Sequence, residues 1–119
     1  MIQIRVEGDV IPAARPRFNG RRAYQPKRNV EYRQRVQEAS RAAMKGAAPL
    51  TGEVVASVRL YRKYKATARN YGDLDNHLKN LFDGMNQIVF ADDAQITRCL
   101  VEKFTDKTQP RAEIEIESR

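Results

Sequence analysis

Two short acidic segments hold the residues whose types and spacing best suit chemistry. The first contains Asp73 and Asp75, with Lys79 four residues beyond Asp75, and the second contains the adjacent pair Asp92 and Asp93. Mg²⁺ prefers carboxylate oxygens and usually keeps several waters, so a few acidic side chains are enough to bind it. Such an ion lowers the pKa of a bound water and neutralises charge on a phosphate, and a nearby lysine can stabilise the transition state. The pattern therefore indicates a carboxylate site for the hydrolysis of phosphodiesters.

Each acid also has a simpler structural interpretation. Asp73 precedes the apolar stripe of a predicted helix and is well placed as its N-cap, and Asp75 in the first turn favours the helix dipole. Asp75 and Lys79 are spaced as an i,i+4 ion pair, and two adjacent acids such as Asp92 and Asp93 are common in turns. Spacing alone leaves both interpretations open.

Other metal and phosphate motifs are excluded by the sequence. Leu78 stands where a calcium loop beginning at Asp73 needs glycine, and there is no GxxxxGKS, GxxxxGKT or GxGxxG pattern. One cysteine and one histidine rule out an intrachain disulfide framework, a multi-cysteine zinc site and a histidine-rich metal centre. We expect Cys99 to be a core or half-buried strand residue, and His77 to face solvent or to cap a helix.

The net charge of +7 is the sum of separated basic and acidic stretches. Residues 15–35 contain eight bases and one acid, residues 59–69 contain five bases and no acid, and residues 73–93 contain five acids and one base. The basic stretches suit an anionic partner, for which nucleic acid is the first candidate, and a bound metal ion would explain acids inside such a footprint. The bases that we predict to contact DNA are Arg15, Arg17, Arg21, Arg22, Lys27, Arg28, Lys63, Lys65 and Arg69.

Length and composition fit one domain. The chain has 119 residues, of which 41% are hydrophobic, so it can bury a core. No apolar run approaches the roughly 20 residues of a membrane span, and residues 1–6 alternate in polarity, unlike the apolar centre of a signal peptide. We therefore expect a cytoplasmic protein with no membrane partner.

Hydrophobic periodicity predicts the elements that position the acids. Strands are expected over 2–7, 53–62 (extending to Tyr64), 95–104 and 111–117, and helices over 29–45 and 74–86. Asn29 is the predicted cap of the first helix and Gly46 its C-terminal end, while the second helix turns Asp75 and Lys79 away from its leucine stripe. Residues 8–27 read as a long, irregular basic loop, and 105–110 as the turn of an antiparallel hairpin. The predicted fold is a single α+β domain over residues 1–119, with a mostly antiparallel or mixed sheet of about four strands and two helices.

The acidic segments resemble a known family. Asp-Leu-Asp-Asn-x-x-Lys at 73–79, Phe-Asp at 82–83, Asp-Asp-Ala-Gln-Ile at 92–96 and Val-Glu-Lys at 101–103 are together similar to the RusA family of Holliday-junction resolvases. The resemblance implies a RusA-like domain and a small, basic, homodimeric endonuclease of a kind common in prophages. It further implies dependence on Mg²⁺, with Mn²⁺ as a substitute.

The same resemblance implies roles for individual residues. Asp73, Asp75 and Asp93 match the metal-binding catalytic aspartates, and Lys79 matches the essential catalytic lysine. Asp92 matches the acid beside them and is taken as a further metal ligand. Tyr71 and Tyr64 are the two candidates for an aromatic residue that probes the junction.

These observations predict a structure-selective endodeoxyribonuclease that resolves Holliday junctions and other branched DNA in recombination and repair. Two alternatives remain. One is a non-catalytic nucleic-acid-binding module whose aspartates serve as caps and turns. The other is an acid-rich surface for binding proteins.

Overall fold

The computed structural model describes residues 1–13, 17–19, 22–24, 27–65, 67 and 74–119. Within this part of the chain, no helix is long and apolar enough to cross a membrane. The elements in chain order are β1 (Ile2–Glu7), β2 (Arg17–Asn19), β3 (Arg22–Tyr24), α1 (Lys27–Met44), β4 (Val54–Arg62), α2 (Leu74–Met85), a short 3₁₀ helix (Asp93–Gln95), β5 (Ile96–Thr105) and β6 (Arg111–Ser118).

A four-stranded mixed sheet forms the base of the molecule, in the order β1-β6-β4-β5. β6 pairs antiparallel with both β1 and β4, whereas β5 pairs parallel with β4. Alternate residues of β4 and β6 are buried, as period-two sequences require when one face of a sheet packs against helices. The predicted α+β class with two helices and a mixed sheet is therefore confirmed.

The predicted hairpin between the last two strands is wrong, because β4 lies between them. The connection crosses the end of β4, where the backbone N–H of Asp106 donates to the carbonyl of Arg62 at 2.8 Å. Ala112, Ile114 and Ile116 are almost fully buried, and a central position in the sheet provides that burial. A turn signal predicts a reversal of the chain but not which strand the returning segment will pair with.

β5 occupies an edge of the sheet, and its residues 97–100 are exposed. Cys99 is one of them, so the prediction that it is core or half-buried is wrong. Its register partner Ala56 is 5% exposed, which shows how sharply burial falls from β4 to the edge.

α1 begins at Lys27, two residues before the predicted start, so Asn29 lies inside the helix. Asn29 is buried rather than serving as the cap. Lys45 and Gly46 follow the helix with φ values of 51° and 81°, which confirms Gly46 at the C-terminal end. β4 ends at Arg62, short of the predicted extension. Within the predicted irregular loop, β2 and β3 pair as a short antiparallel hairpin, so that prediction is wrong for these two segments.

The two helices pack closely at one glycine. A Cβ atom on Gly84 of α2 would lie 2.7 Å from Cβ and Cγ1 of Val36 on α1, which is closer than two carbon atoms can approach. Tyr32, Leu81 and Met85 fill the core around this contact. The close approach fixes α2, and with it the acidic face that α2 carries.

Candidate active site and nucleic-acid surface

The second acidic segment is a rigid turn held by Gln95. Its side-chain oxygen accepts the backbone N–H of Asp92 at 3.0 Å, and its side-chain nitrogen donates to the carbonyls of Leu50 and Gly52, both at 2.9 Å. Asp92 completes a capping box, because its Oδ1 accepts the N–H of Ala94 at 3.4 Å. Asp92 therefore caps a short helix, whereas the structural interpretation of the sequence assigned it to a turn. Our sequence analysis missed the role of Gln95, which the Asp-x-x-Gln spacing at 92–95 could have revealed.

Asp93 lies beside the carboxylate of Asp92 and within the electrostatic field of Asp83. Its pKa is raised from the usual value for aspartate, first by a side-chain hydrogen bond with Asp92, then by burial, and then by the negative charges of Asp92 and Asp83. Asp83 belongs to α2, so the structure brings the C-terminal half of that helix to the Asp92–Asp93 turn. Asp83 therefore relates α2, the helix that also carries Asp75, to the second acidic segment.

The outward face of α2 carries Asp75, Lys79 and Asp83 at intervals of four residues. Asp75 and Lys79 are exposed, as predicted, and Asp83 is half-buried. Asp83 makes an ion pair with Arg33 of α1, with Nη2 3.5 Å from Oδ2. Among the described residues, the ion pairs do not include one between Asp75 and Lys79, so the simple i,i+4 interpretation is wrong. Both side chains are left exposed at the helix surface.

The inward face of α2 contains a polar pair that periodicity did not predict. His77 is 1% exposed and Asn80 is fully buried, so the expectation that His77 faces solvent or caps the helix is wrong. His77 precedes Leu81 by four residues and Asn80 precedes Gly84 by four, so both share the face that packs on the core. A stripe defined by apolar residues alone cannot include them.

Residues 9–13 connect the acidic helix to a basic part of the surface. At one end of this segment, Oδ1 of Asp9 accepts the backbone N–H of Lys63 at 3.1 Å, just after β4. At the other end, the N–H of Ala13 donates to the carbonyl of Asn76 at 3.0 Å. Asn80 strengthens this attachment, because its Nδ2 donates to the carbonyl of Ile11 at 2.9 Å. The start of the basic loop is therefore fixed alongside α2.

Several predicted site residues lie outside the described residues: Asp73, Arg15, Arg21, Arg69 and Tyr71. For Arg17 and Arg22 the structure gives the backbone, in β2 and β3, but not the side chains. The other predicted DNA-binding bases are all exposed, namely Lys27, Arg28, Lys63 and Lys65. Lys27 also makes an exposed i,i+4 ion pair with Glu31 at 3.7 Å.

The described residues alone do not form a group of three or more acids, histidines or cysteines arranged to hold a metal ion. Asp73, the remaining predicted ligand, is not among them. The chemistry of the donors that are described still fits a divalent cation, because all are carboxylates. The pKa of Asp93 is raised first by its hydrogen bond with Asp92 and by burial, and then by the negative charges of Asp92 and Asp83, and a bound cation would favour the charged carboxylate.

Comparison with known proteins adds independent information. The family model described as Endodeoxyribonuclease RusA matches residues 7–117 of the 119 residues. No curated protein matches the chain. The matched range contains both acidic segments, the 9–13 segment, all of β4 and β5 and most of β6, but only the last residue of β1.

Proposed function

Since this chain belongs to the RusA family of endodeoxyribonucleases, we propose that it is a Mg²⁺-dependent, homodimeric enzyme that resolves Holliday junctions in recombination and repair, with Mn²⁺ as a substitute ion. The family acts on branched DNA by hydrolysing phosphodiester bonds. The observation that carries the proposal for this chain is the negative field that Asp83 of α2 exerts on Asp93, beside Asp92. Asp75 and Lys79 lie on the same outward face of α2 as Asp83.

We assign the metal to Asp73, Asp75 and Asp93, with Asp92 beside them. A divalent ion there would activate water and neutralise charge on the phosphate. Asp93 would bind the ion as a carboxylate, and the ion would in turn favour that charged form. Lys79 projects from the same face of α2 as Asp75, and its ammonium group would stabilise the phosphate oxygens as charge develops on them.

The reaction that we propose adds one water across the bond between phosphorus and the 3′-oxygen. The water oxygen bonds to phosphorus, the bond to the 3′-oxygen breaks, and that oxygen takes a proton. The products are a 5′-phosphate and a 3′-hydroxyl, which a DNA ligase can rejoin. Ligation of the cut strands therefore tests which bond is broken.

The basic residues are placed to hold the flanking DNA. The 9–13 segment is hydrogen-bonded at one end to the backbone N–H of Lys63 and at the other end to the carbonyl of Asn76. The exposed bases after β4 are therefore connected through this segment to α2. Lys27 and Arg28 add positive charge at the N-terminus of α1, where backbone N–H groups also favour phosphate. Arg15, Arg17, Arg21, Arg22, Lys65, Arg69 and Tyr71 complete the proposed DNA-binding set.

Cleavage of a four-way junction by the purified protein tests the proposal. We expect nicks near the branch point with Mg²⁺ or Mn²⁺, no cleavage with EDTA, and much slower cleavage of a linear duplex of the same sequence. A protein that binds the junction in both conditions and cuts in neither would support the non-catalytic alternative, for which the capping role of Asp92 is the favourable observation.

A further inference from the structure

The exposed edge of the sheet at β5 has the features of an interface. Within the described part of the chain, β5 pairs with β4 on one side and leaves the backbone groups of its other side unpaired. Residues 97–100 are exposed in succession, and Leu100 is 59% exposed. A long edge strand with an exposed aliphatic residue readily pairs with another strand.

The charges on β5 are arranged symmetrically about Leu100. In the parallel register with β4, Arg98, Leu100 and Glu102 lie opposite Val55, Ser57 and Arg59, so the three share one face of the sheet. Arg98 lies two residues before Leu100, and Glu102 lies two residues after it. Among the described residues, neither Arg98 nor Glu102 takes part in an ion pair.

The sequence of charges along β5, with Arg98 before Leu100 and Glu102 after it, is self-complementary under a two-fold rotation. If two copies of β5 pair antiparallel with Leu100 opposite Leu100, Arg98 of each copy faces Glu102 of the other, and Cys99 faces Val101. If the register moves so that Leu100 faces Val101, Arg98 instead faces Lys103, and like charges oppose each other. Of these two registers, the charges favour the one centred on Leu100.

The other edge of the sheet lacks these features. On β1, Arg5 already pairs with Glu7 of the same strand, and Arg5 also lies 3.8 Å from Glu113 of β6. Its charged groups are satisfied within the protomer, so β5 is the edge with unpaired charges.

We propose that β5 pairs with β5 of a second copy of this chain, antiparallel and centred on Leu100, to give a continuous eight-stranded sheet. The two-fold axis would then be perpendicular to the sheet, so the helices of both copies would lie on the same side. The two Ile96 residues would be about 26 Å apart along the strands, at a rise of about 3.3 Å per residue. Asp93 precedes Ile96 by three residues, so the two acidic sites would lie at opposite ends of the paired strands.

This inference assigns a surface to the homodimer of the proposed function, but it rests on the strand and not on nuclease activity. It is tested without DNA or metal, by sedimentation of charge variants. Arg98→Glu places two glutamates on each strand and Glu102→Arg places two arginines, so each variant alone should have a dimer Kd raised about tenfold or more. An equimolar mixture of the two should form heterodimers with a Kd near that of the parent protein, because opposite charges face each other again.

Disulfide trapping tests the register. In a Cys99→Ser background, Leu100→Cys places two thiols directly opposite each other, and mild oxidation should yield a covalent dimer. Glu38→Cys in the same background is the control, because Glu38 is exposed on α1 and should not crosslink. The inference is overturned if the parent protein is a monomer, if each charge variant dimerises as the parent does, or if the parent dimerises without a Leu100→Cys crosslink. If the protein cleaves junctions but its dimer fails these tests, the β5 interface is rejected and the proposed function stands. If the protein dimerises through β5 but does not cleave junctions, the proposed function is rejected and the interface stands.

Discussion

Arg33 on α1 holds Asp83 on α2 in an ion pair, with Nη2 3.5 Å from Oδ2, and both side chains are about 30% exposed. Asp83 in turn contributes to the negative field at Asp93, which follows it by ten residues and belongs to a different element. The ion pair therefore links the packing of the two helices to the acidic site.

Removal of one partner of this pair should destabilise the protein more than removal of both. We expect Arg33→Leu to lower the free energy of unfolding by about 1 kcal/mol, because Asp83 is left half-buried without its cation. Adding Asp83→Asn should restore part of the loss. Urea unfolding of the two single variants and the double variant gives the coupling energy, and strictly additive effects would contradict the link.

The contact at Gly84 makes a second prediction. Gly84→Ala should lower the free energy of unfolding by about 1–3 kcal/mol, since the new Cβ would overlap Val36. Val36→Ala, which removes one of the two overlapping carbon atoms, should cost less in the Gly84→Ala background than in the parent protein. Equal costs in the two backgrounds would show that the helices do not meet as described.

These two contacts between helices could not be predicted from the sequence, although the helices themselves could. The leucine stripe predicted α2 over almost its observed length, because a strong 3.6-residue period survives in almost any tertiary context. Periodicity does not report which elements meet, so the link from Asp83 to Arg33 and Asp93 emerged with the fold. His77 was assigned to the surface because a polar residue next to a leucine stripe does not contribute to the apolar pattern, although its spacing places it inward.

The sheet shows the same division. Each strand of the four-stranded sheet was predicted within two residues at each end from its alternating residues, except that β4 does not reach Tyr64. The sequence did not predict that β5 pairs with β4 rather than with β6. A turn between β5 and β6 does not determine which strand each of them pairs with, and the burial of Ile114 and Ile116 on β6 favours the central position of that strand.

Gln95 should be needed for the shape of the acidic turn. Gln95→Ala removes an acceptor for the N–H groups of Ala91 and Asp92 and a donor to Leu50 and Gly52. We expect a loss of about 1–2 kcal/mol in the free energy of unfolding and slower junction cleavage. Gln95→Glu keeps the acceptor and loses the donor, so it should be intermediate. Unchanged cleavage by the Gln95→Ala variant would show that the turn does not position Asp93.

Asp93 should reduce stability in the metal-free protein. Its pKa is raised in the folded state, so the folded chain holds this proton more tightly than the unfolded chain does, and stability falls as the pH rises through the interval between the two pKa values. We therefore expect metal-free Asp93→Asn to have a Tm at pH 7 equal to or above that of the parent. Any increase in Tm should disappear at a pH below the pKa of Asp93 in both the folded and the unfolded chain, where the parent carries a neutral side chain at this position as well. Thermal unfolding at the two pH values measures this, and a lower Tm at pH 7 would contradict it.

The most direct test of the account is the Asp75→Asn variant, scored for junction binding and junction cleavage in the same Mg²⁺ buffer. Asp75 is exposed, so the substitution should leave the fold intact, and Glu38→Gln is a matched control because Glu38 is an exposed acid on the other helix. We predict that Asp75→Asn binds the junction at least as tightly as the parent, because one repulsive charge is gone. It should cleave the junction about 10²-fold more slowly or worse, which is the loss typical of removing a catalytic group. Glu38→Gln should match the parent in both measurements. Cleavage by the Asp75→Asn variant at the parental rate would contradict the assignment of the active site to this face of α2.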